Sequence, residues 1–165
     1  MNLSEGCVAS LHVHSAETEA SMLSIEKITL VEGKGIVEDF RYFDRKNRDG
    51  QPRKRQVTLI EREQIGEHAA VLGLAGIAPG KVRSNIETDG ISLINCLAKQ
   101  LQIGEAILLI YDPRTPCAQM DSVAPGLREL MKNSRQGVLA QVIRSGTVRV
   151  GDSIRLLSGS AKEPS

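Results

Sequence analysis

The sequence contains no tryptophan, and aromatic residues make up only 2% of its 165 positions. Phe40, Tyr42 and Phe43 lie within four residues of one another, and Tyr111 stands apart from them. Proteins that bind single-stranded nucleic acid stack bases on aromatic side chains spread over a surface. Together with a formal net charge of only +1, this composition predicts no nucleic-acid partner and no electrostatic attraction to a membrane.

Paired cysteines are also missing. Cys7, Cys96 and Cys117 are far apart and form no C-x-x-C motif, which argues against a disulfide framework and against a structural zinc site. The sequence has no apolar run of the roughly 18 residues that a membrane span needs, and Glu5 lies where a signal peptide would be basic. Reduced thiols then predict a soluble, unexported, cytoplasmic protein.

The length and the pattern of short apolar runs predict one domain that is mainly β with a few helices. The chain is 41% apolar and 25% charged, which is ordinary globular composition. Residues 1–157 are expected to form a single domain, and residues 158–165 a disordered tail. Glycine turns separate the predicted strands, which suggests a closed or nearly closed β-barrel. The predicted strands are 8–14, 24–31, 56–60, one ending at 86, 106–111, 138–144, 147–150 and 153–157, and the two predicted helices are 61–73 and 125–133.

The well-known catalytic signatures are absent: the sequence has no G-x-S-x-G, no Walker A motif, no H-E-x-x-H and no dinucleotide fingerprint. Cys117 is the best single candidate for chemistry, because it follows Arg114 in the loop P-R-T-P-C and Pro113 and Pro116 stiffen that loop. A cation close to a thiol favours the thiolate, which is a nucleophile and a ligand for soft metals. A small buried filler is the alternative for Cys117, and core positions are expected for Cys7 and Cys96.

Three other patterns could bind a ligand. His12 and His14 alternate on a predicted strand, but no third metal ligand has a compelling position, so a metal site there is not favoured. Residues 45–55 are rich in Arg and Lys and predict an exposed, mobile loop that is either merely solvated or captures a phosphate-bearing ligand. Arg83 and Asn85 are two apart on a predicted strand, so they should share a face and offer fixed donors to an anion.

Taken in order, several segments resemble the MOSC domain, which is the C-terminal domain of molybdenum cofactor sulfurases and also occurs as stand-alone proteins. The resemblance runs from about residue 8 to residue 157, and P-R-T-P-C is its most telling part. The matching segments are G-K-G-I-V-E-D-F-R-Y-F (33–43), R-Q-V-T-L-I (55–60), P-G-K-V-R-S-N-I (79–86), L-Q-I-G-E-A (101–106), P-R-T-P-C (113–117), R-Q-G-V-L-A-Q-V (135–142) and G-T-V-R-V-G-D (146–152).

The resemblance implies a MOSC-like β-barrel with a cleft in which a cysteine ligates molybdenum or carries sulfur for the molybdenum cofactor (molybdopterin). That role falls on Cys117 here. The resemblance also implies that the cofactor site is lined or supported by Asp39, Arg41, Arg55, Arg83, Asn85, Arg114 and Arg135. An electron-donor protein or a cofactor-biosynthesis protein is the expected partner.

The sequence departs from its relatives at three points. The chain leaves no room for the pyridoxal-phosphate desulfurase domain of the full sulfurases, and it lacks the H-G-G motif of some stand-alone relatives that reduce N-hydroxylated bases. Position 38 is Glu, where the family often has Gly before Asp. Three functions follow as hypotheses: partner-dependent reduction of N-hydroxylated compounds or sulfur and cofactor transfer, a non-catalytic cofactor carrier, or a metal-free redox-sensing thiol protein.

Overall fold

The structure is a computed structural model that describes residues 5–17 and 21–157. The predicted tail at residues 158–165 lies outside the described residues. The strands are β1 (Glu5–Val13), β2 (Leu23–Ile25), β3 (Lys27–Val31), β4 (Gly35–Ile36), β5 (Val57–Glu61), β6 (Ile86–Asp89), β7 (Gln100–Ile103), β8 (Ala106–Pro113), β9 (Val138–Arg144), β10 (Gly146–Arg149) and β11 (Ser153–Leu156). The helices are α1 (Arg62–Val71), α2 (Gln119–Val123) and α3 (Leu127–Leu130), and a 3-10 turn spans Leu93–Cys96.

Seven of the strands close into a barrel, which confirms the predicted fold class. The strand order is β11-β7-β8-β9-β5-β6-β1, and β1 pairs with β11 to close it. The closing register sets Glu5 opposite Arg155 and Cys7 opposite Ser153. Strand β2 extends β1, while β10, β3 and β4 form a separate three-stranded sheet. Closure pairs the backbone at both edges of the sheet, so that the barrel strands leave no open edge.

The barrel interior is aliphatic. Leu11, Leu59, Ile86, Leu108 and Ile154 are among the fully buried side chains that fill it. The neighbouring strands β5 and β6 run parallel, and α1 lies between them in the sequence. A parallel pair requires such a crossover connection.

A second, smaller core lies between the helices and the barrel wall. It contains Ile60 from β5, Ile65 from α1, Met120 from α2, and Leu127 and Met131 at α3. All five side chains are almost completely buried. This core holds down the segment after β8, which includes the P-R-T-P-C loop.

Several boundaries differ from the sequence predictions. Residues 24–31 are not one strand but two, β2 and β3, which join different sheets. The predicted helix at 125–133 is reduced to the single turn α3, and the short helix α2 precedes it. Gly126 between them has a left-handed φ of 91°, which breaks the helical path.

One loop prediction needs correction. Arg83 and Asn85 do not lie on a strand, because β6 begins at Ile86 and Arg83 has a left-handed φ of 62°. Residues 45–54 are exposed as predicted, whereas Arg55 is half-buried. The segment folds back on itself, with Lys46 bridged to Pro52 and Arg53 N donating to Arg45 O at 2.9 Å, and its mobility stays a prediction. We call residues 45–55 the basic hairpin. No helix within the described residues is long and apolar enough to cross a membrane.

Candidate functional site

Cys117 opens into a cavity of about 210 Å³. Five of the residues expected at the site line this cavity: Arg41, Arg55, Arg83, Arg114 and Cys117. All five lie in loops outside the strands and helices, where side chains from different parts of the chain can converge. The cavity is lined by no aspartate or glutamate among the described residues.

The loop between β8 and α2 exposes Cys117 while its neighbours are anchored. Met120 is completely buried in the second core, and its N–H donates to the carbonyl of Cys117 at 3.1 Å. At the other end of the loop, the N–H of Arg114 donates to Gly137 O at 3.0 Å. The thiol itself is exposed, and its only described contact is a weak one to Gln119 Oε1 at 3.8 Å. Cys117 is therefore not a core filler.

Arg114 is a buried cation at the floor of the cavity. Its side chain is 8% exposed, and Nη1 donates to Arg83 O at 3.0 Å and to Ser84 Oγ at 3.2 Å. Burial, reinforced by the charges of Arg55 and Arg83, lowers the pKa of Arg114 to about 10. The guanidinium remains charged at neutral pH but has no carboxylate partner among the described ion pairs. A buried cation that lacks a counter-ion favours binding of an anion.

Two further arginines are arranged around one aromatic ring. The guanidinium carbon of Arg55 lies 4.8 Å from the centre of the Tyr42 ring, and that of Arg41 lies 5.6 Å from it. Such cation–π contacts orient a guanidinium without neutralising its charge. Arg55 Nε is buried and has no hydrogen-bond partner in the described part of the chain. These arginines keep donor capacity for a ligand.

Asp39 does not line the cavity but holds residues that do. Its Oδ1 accepts from the N–H groups of Arg41 and Tyr42 at 3.0 and 2.9 Å. Its Oδ2 accepts from the backbone N–H and the Nδ1 of His14 at 3.0 and 2.8 Å, and from Asn85 Nδ2 at 3.2 Å. Burial raises the pKa of Asp39, but the hydrogen bonds from His14 and from the backbone of Tyr42 outweigh it, so that the pKa lies below its ordinary value.

Asn85 is likewise a supporting residue. It is 3% exposed, and Oδ1 accepts from the N–H and the hydroxyl of Thr58 at 3.0 and 3.1 Å. Its Nδ2 donates to His12 O and to Asp39. Because protein groups satisfy both ends of the amide, Asn85 joins β1, β5 and the Asp39 loop and does not face the cavity.

The side chain of Arg135 lies outside the cavity. It is half exposed and pairs with Glu67 Oε2 at 3.3 Å. The next residue, Gln136, lines the cavity instead; it is 1% exposed, and its Oε1 has no hydrogen-bond partner within the described residues. The prediction from sequence named Arg135, whereas the side chain that lines the cavity belongs to the next residue, Gln136.

The remaining lining residues are those that sequence reasoning missed: His14, Tyr42, Thr115, Gln119 and Gln136. His12 and His14 do not act together as an H-x-H pair. His12 is fully buried with Nδ1 at 2.9 Å from Ser84 O, whereas His14 turns to Asp39. The signal for His14 lies in its pairing with Asp39, 25 residues away, which no local spacing can show.

An open groove of about 630 Å³ adjoins the cavity and shares Arg41 and Tyr42 with it. The other groove residues are Asp44, Arg45, Lys46 and Arg53, mostly from the basic hairpin. Arg45 is held in place by donating to Arg41 O and Phe40 O at 2.9 and 3.0 Å. Cationic side chains therefore extend from the arginines of the cavity along the hairpin, with Asp44 among them.

The other thiols are not part of this arrangement. Cys96 is buried, and burial raises the pKa of its thiol, as expected of a core residue. Cys7 is half-buried on β1. In the described ranges, no group of three or more His, Cys, Asp and Glu side chains could hold a metal ion. Among the described residues that line the cavity, Cys117 is the one cysteine.

The fold has close counterparts among solved structures. The YUAD protein from Bacillus subtilis matches with a TM-score of 0.78 and 20% identity, over 94% of this chain and 97% of that one. YiiM from Geobacillus stearothermophilus matches with a TM-score of 0.71 and 14% identity, over 95% and 77%. YiiM from Escherichia coli matches with a TM-score of 0.67 and 20% identity, over 96% and 72%. These identities establish a shared fold only.

A comparison with curated proteins finds no match in sequence. The model of the MOSC domain family, by contrast, matches residues 38–155. That range includes Cys117, the four arginines of the cavity and the basic hairpin, and it covers most of the barrel. This chain belongs to the MOSC domain family, which is associated with the molybdenum cofactor.

Proposed function

We propose that this protein binds the molybdenum cofactor in the Cys117 cavity, with the Cys117 thiolate as a ligand of the metal. It then acts in partner-dependent reduction of N-hydroxylated compounds, or in sulfur or cofactor transfer. The observation that carries the proposal is the convergence of one exposed thiol and four arginines on a single cavity. An electron-donor or cofactor-biosynthesis protein as partner and a cytoplasmic location belong to the same proposal.

The chemistry of the donor set fits the cofactor. Thiolate is a soft ligand that suits a sulfur-rich metal centre, and guanidinium groups bind phosphate through paired hydrogen bonds. The buried Nε of Arg55 and the uncompensated charge of Arg114 are left for an anionic ligand. A cavity of about 210 Å³ is small for a whole pterin cofactor, and the adjoining groove of about 630 Å³ supplies the additional space.

Within this proposal, the residues have distinct tasks. Cys117 would hold the metal, and Arg41, Arg55, Arg83 and Arg114 would hold the anionic groups of the cofactor. Asp39 and Asn85 would fix the loop that carries Arg41, and Gln136 would offer its unpartnered oxygen to a donor on the ligand. When bound, the cofactor supplies two-electron redox chemistry.

Elemental analysis tests the metal-ligand claim. The protein is purified from cells that make the cofactor, as wild type, as Cys117→Ser and as Cys7→Ser, in which a thiol outside the cavity is replaced. Wild type and Cys7→Ser should contain equal molybdenum, and Cys117→Ser should contain much less. Equal molybdenum in all three proteins would contradict a Cys117 ligand, and no molybdenum in any of them would favour the metal-free thiol hypothesis.

Activity separates the enzyme from the carrier. Molybdenum-loaded protein is supplied with a chemical reductant or an electron-donor protein and a simple N-hydroxylated amidine. Conversion to the amidine that depends on Cys117 supports a reductase. Retained molybdenum without conversion under any donor, together with transfer of the cofactor to an apo-molybdoenzyme, supports the carrier.

A further inference from the structure

His14 is the one histidine that lines the Cys117 cavity within the described residues, and it is held there by a carboxylate. Its Nδ1 lies 2.8 Å from Asp39 Oδ2, and its own backbone N–H donates to the same oxygen at 3.0 Å. The edge of the ring meets Tyr42, with 5.4 Å between the ring centres and 66° between the planes. The imidazole is therefore fixed in position and in orientation.

The Asp39 contact also assigns the proton on the ring. The pKa of Asp39 lies below its ordinary value, because the hydrogen bonds from His14 outweigh the opposing effect of burial. An ionised carboxylate only accepts hydrogen bonds, so Nδ1 must carry a hydrogen. The nitrogen that gains or loses a proton is then Nε2, and a neighbouring carboxylate that orients a histidine in this way is common in proton-transfer sites.

The charged groups that face His14 come from several elements. Asp39 lies on the Nδ1 side of the ring, and Arg41 follows it in the same loop. Arg55, Arg83, Arg114 and the Cys117 thiol line the same cavity as His14. His14 thus stands between one carboxylate, at Nδ1, and the four arginines that line the same cavity.

We propose that His14, oriented by Asp39, is the proton donor for the reaction in this cavity, a role that rests on the reductase form of the proposed function. The reaction converts R–NH–OH, two electrons and two protons into R–NH₂ and water. The N–O bond breaks, the oxygen takes up a proton from His14 Nε2 and leaves as water, and the electrons come from the electron-donor protein. The second proton comes from solvent, and solvent also returns a proton to His14.

The test uses molybdenum-loaded protein as wild type, His14→Ala, Asp39→Asn and His68→Gln. His68 is the matched control, because it is a buried histidine that contacts Arg135 O at 2.9 Å and lies outside the cavity. His14→Ala should keep wild-type molybdenum content but lose about 10²–10⁴-fold in kcat, the usual contribution of a positioned acid. The pH profile of kcat should differ between wild type and His14→Ala. The kcat of Asp39→Asn should lie between those of wild type and His14→Ala, and the kcat of His68→Gln should match that of wild type.

Added imidazole distinguishes a proton donor from a structural ring. In His14→Ala it should restore kcat in proportion to its protonated fraction, and a series of substituted imidazoles should show rates that depend on their acidity. Nitrogen NMR of the wild-type protein should show hydrogen on Nδ1 of His14, and this preference should be lost in Asp39→Asn.

Equal kcat and pH profiles in wild type and His14→Ala would overturn the inference, as would rescue that is independent of imidazole protonation. A wild type that binds molybdenum but reduces no N-hydroxylated compound would instead overturn the reductase function, and this role of His14 with it.

Discussion

The carboxylate of Asp39 joins three segments that are distant in sequence: the end of β1, its own loop and the start of β6. Five hydrogen bonds converge on its two oxygens, two from His14, one from Asn85 and two from the backbone of its own loop. The two backbone bonds shape the turn that carries Arg41 and Tyr42. Asp39 therefore sets the position of cavity residues that it does not itself expose.

Replacing Asp39 with asparagine should destabilise the protein in a pH-dependent manner. The folded-state pKa of Asp39 lies below the ordinary value of 3.8, so its stabilising effect is complete above that value and is lost as pH falls through the lower, folded-state value. We expect a loss of about 1.5–3 kcal/mol in the free energy of unfolding near neutral pH, the usual worth of hydrogen bonds to a charged group.

Urea unfolding of wild type and Asp39→Asn between pH 3 and pH 7 measures this difference. The difference in the free energy of unfolding between the two proteins should narrow only at pH values below the ordinary pKa range of a carboxyl group. Asp49→Asn is the control, because Asp49 is exposed and its carboxylate contacts only Gln51 N within its own turn. A gap that stays constant across the whole range would contradict an ionised, stabilising Asp39.

At the residue scale, local sequence singled out Cys117, the neighbouring Arg114 and Arg83, because thiols and guanidinium groups carry a recognisable chemistry. Arg41 was named only through the resemblance to the MOSC domain. Asp39 and Asn85 were also found, but only the structure shows that they are buried supports. His14 and Gln136 were missed because their place in the cavity depends on contacts between segments far apart in the chain.

At the scale of elements, glycine turns decide where the cavity residues stand. Gly137 has a φ of 75°, and a Cβ there would collide with the carbonyl oxygen of Leu59. It directly follows Gln136, and its own carbonyl accepts from Arg114 N. The close approach of β5 to the start of β9 thus requires glycine at this point.

Gly137→Ala should lower the free energy of unfolding by more than about 3 kcal/mol, because it adds a backbone collision to the cost of a left-handed φ. Gly151→Ala is the matched control. Gly151 has a φ of 90°, but nothing lies within 4 Å of its added Cβ, so only the conformational cost of about 1 kcal/mol applies. Thermal and urea unfolding of both variants give the two values, and similar losses would contradict the collision.

The basic hairpin is the element most directly open to a bound ligand. Its turn is closed by Asn47 N donating to Gln51 O at 2.8 Å and Gly50 N donating to Asn47 O at 2.9 Å. The side chains of Arg45, Lys46 and Arg53 line the groove next to the cavity. An anionic ligand in that groove would bind side chains from both arms of the hairpin and reduce its opening.

Hydrogen exchange should therefore slow in residues 45–55 when the cofactor is bound. Protein from cells that make the cofactor is compared with protein from cells that lack it, by mass spectrometry of exchanged peptides. The turn between β10 and β11, at residues 150–152, lies at the surface and outside the groove, so its exchange should not change. Equal exchange of residues 45–55 in the two preparations would contradict ligand contact with the hairpin.

The strand pattern was the best-predicted part of the fold, for a local reason. Strands such as β9, found where it was expected at residues 138–144, alternate buried and less buried side chains along their own length. Strand β7 and the division of residues 24–31 between two sheets were missed. Both depend on partners: β7 lies between β8 and β11, and β3 pairs with β10. Local apolar periodicity carries no information about which sheet a strand joins.

For the molecule as a whole, the charge distribution matters more than the total. The net charge is only +1, and it led to the expectation of no nucleic-acid partner and no electrostatic attraction to a membrane. Folding concentrates four arginines around one cavity and adds three further cations along the adjoining groove. A nearly neutral protein thus carries a local excess of positive charge at the cavity and the groove, where Asp44 is the one lining carboxylate among the described residues. The field of such a cluster favours anions there.

This local field predicts that anions stabilise the whole fold. Phosphate or pyrophosphate that binds the folded protein at 100 times its dissociation constant adds about 2.7 kcal/mol, or roughly 5–10 °C in Tm for a chain of this size. The shift should be measured against sodium chloride at equal ionic strength. It should be strongly reduced in Arg114→Met and Arg55→Met, because both lose a cation of the cavity. Arg155→Met is the control. Arg155 does not line the cavity, and its Nη2 donates to Gln102 Oε1 at 2.8 Å. Equal shifts in all four proteins would mean that the anions act through general salt effects, and the cavity would then not be an anion site.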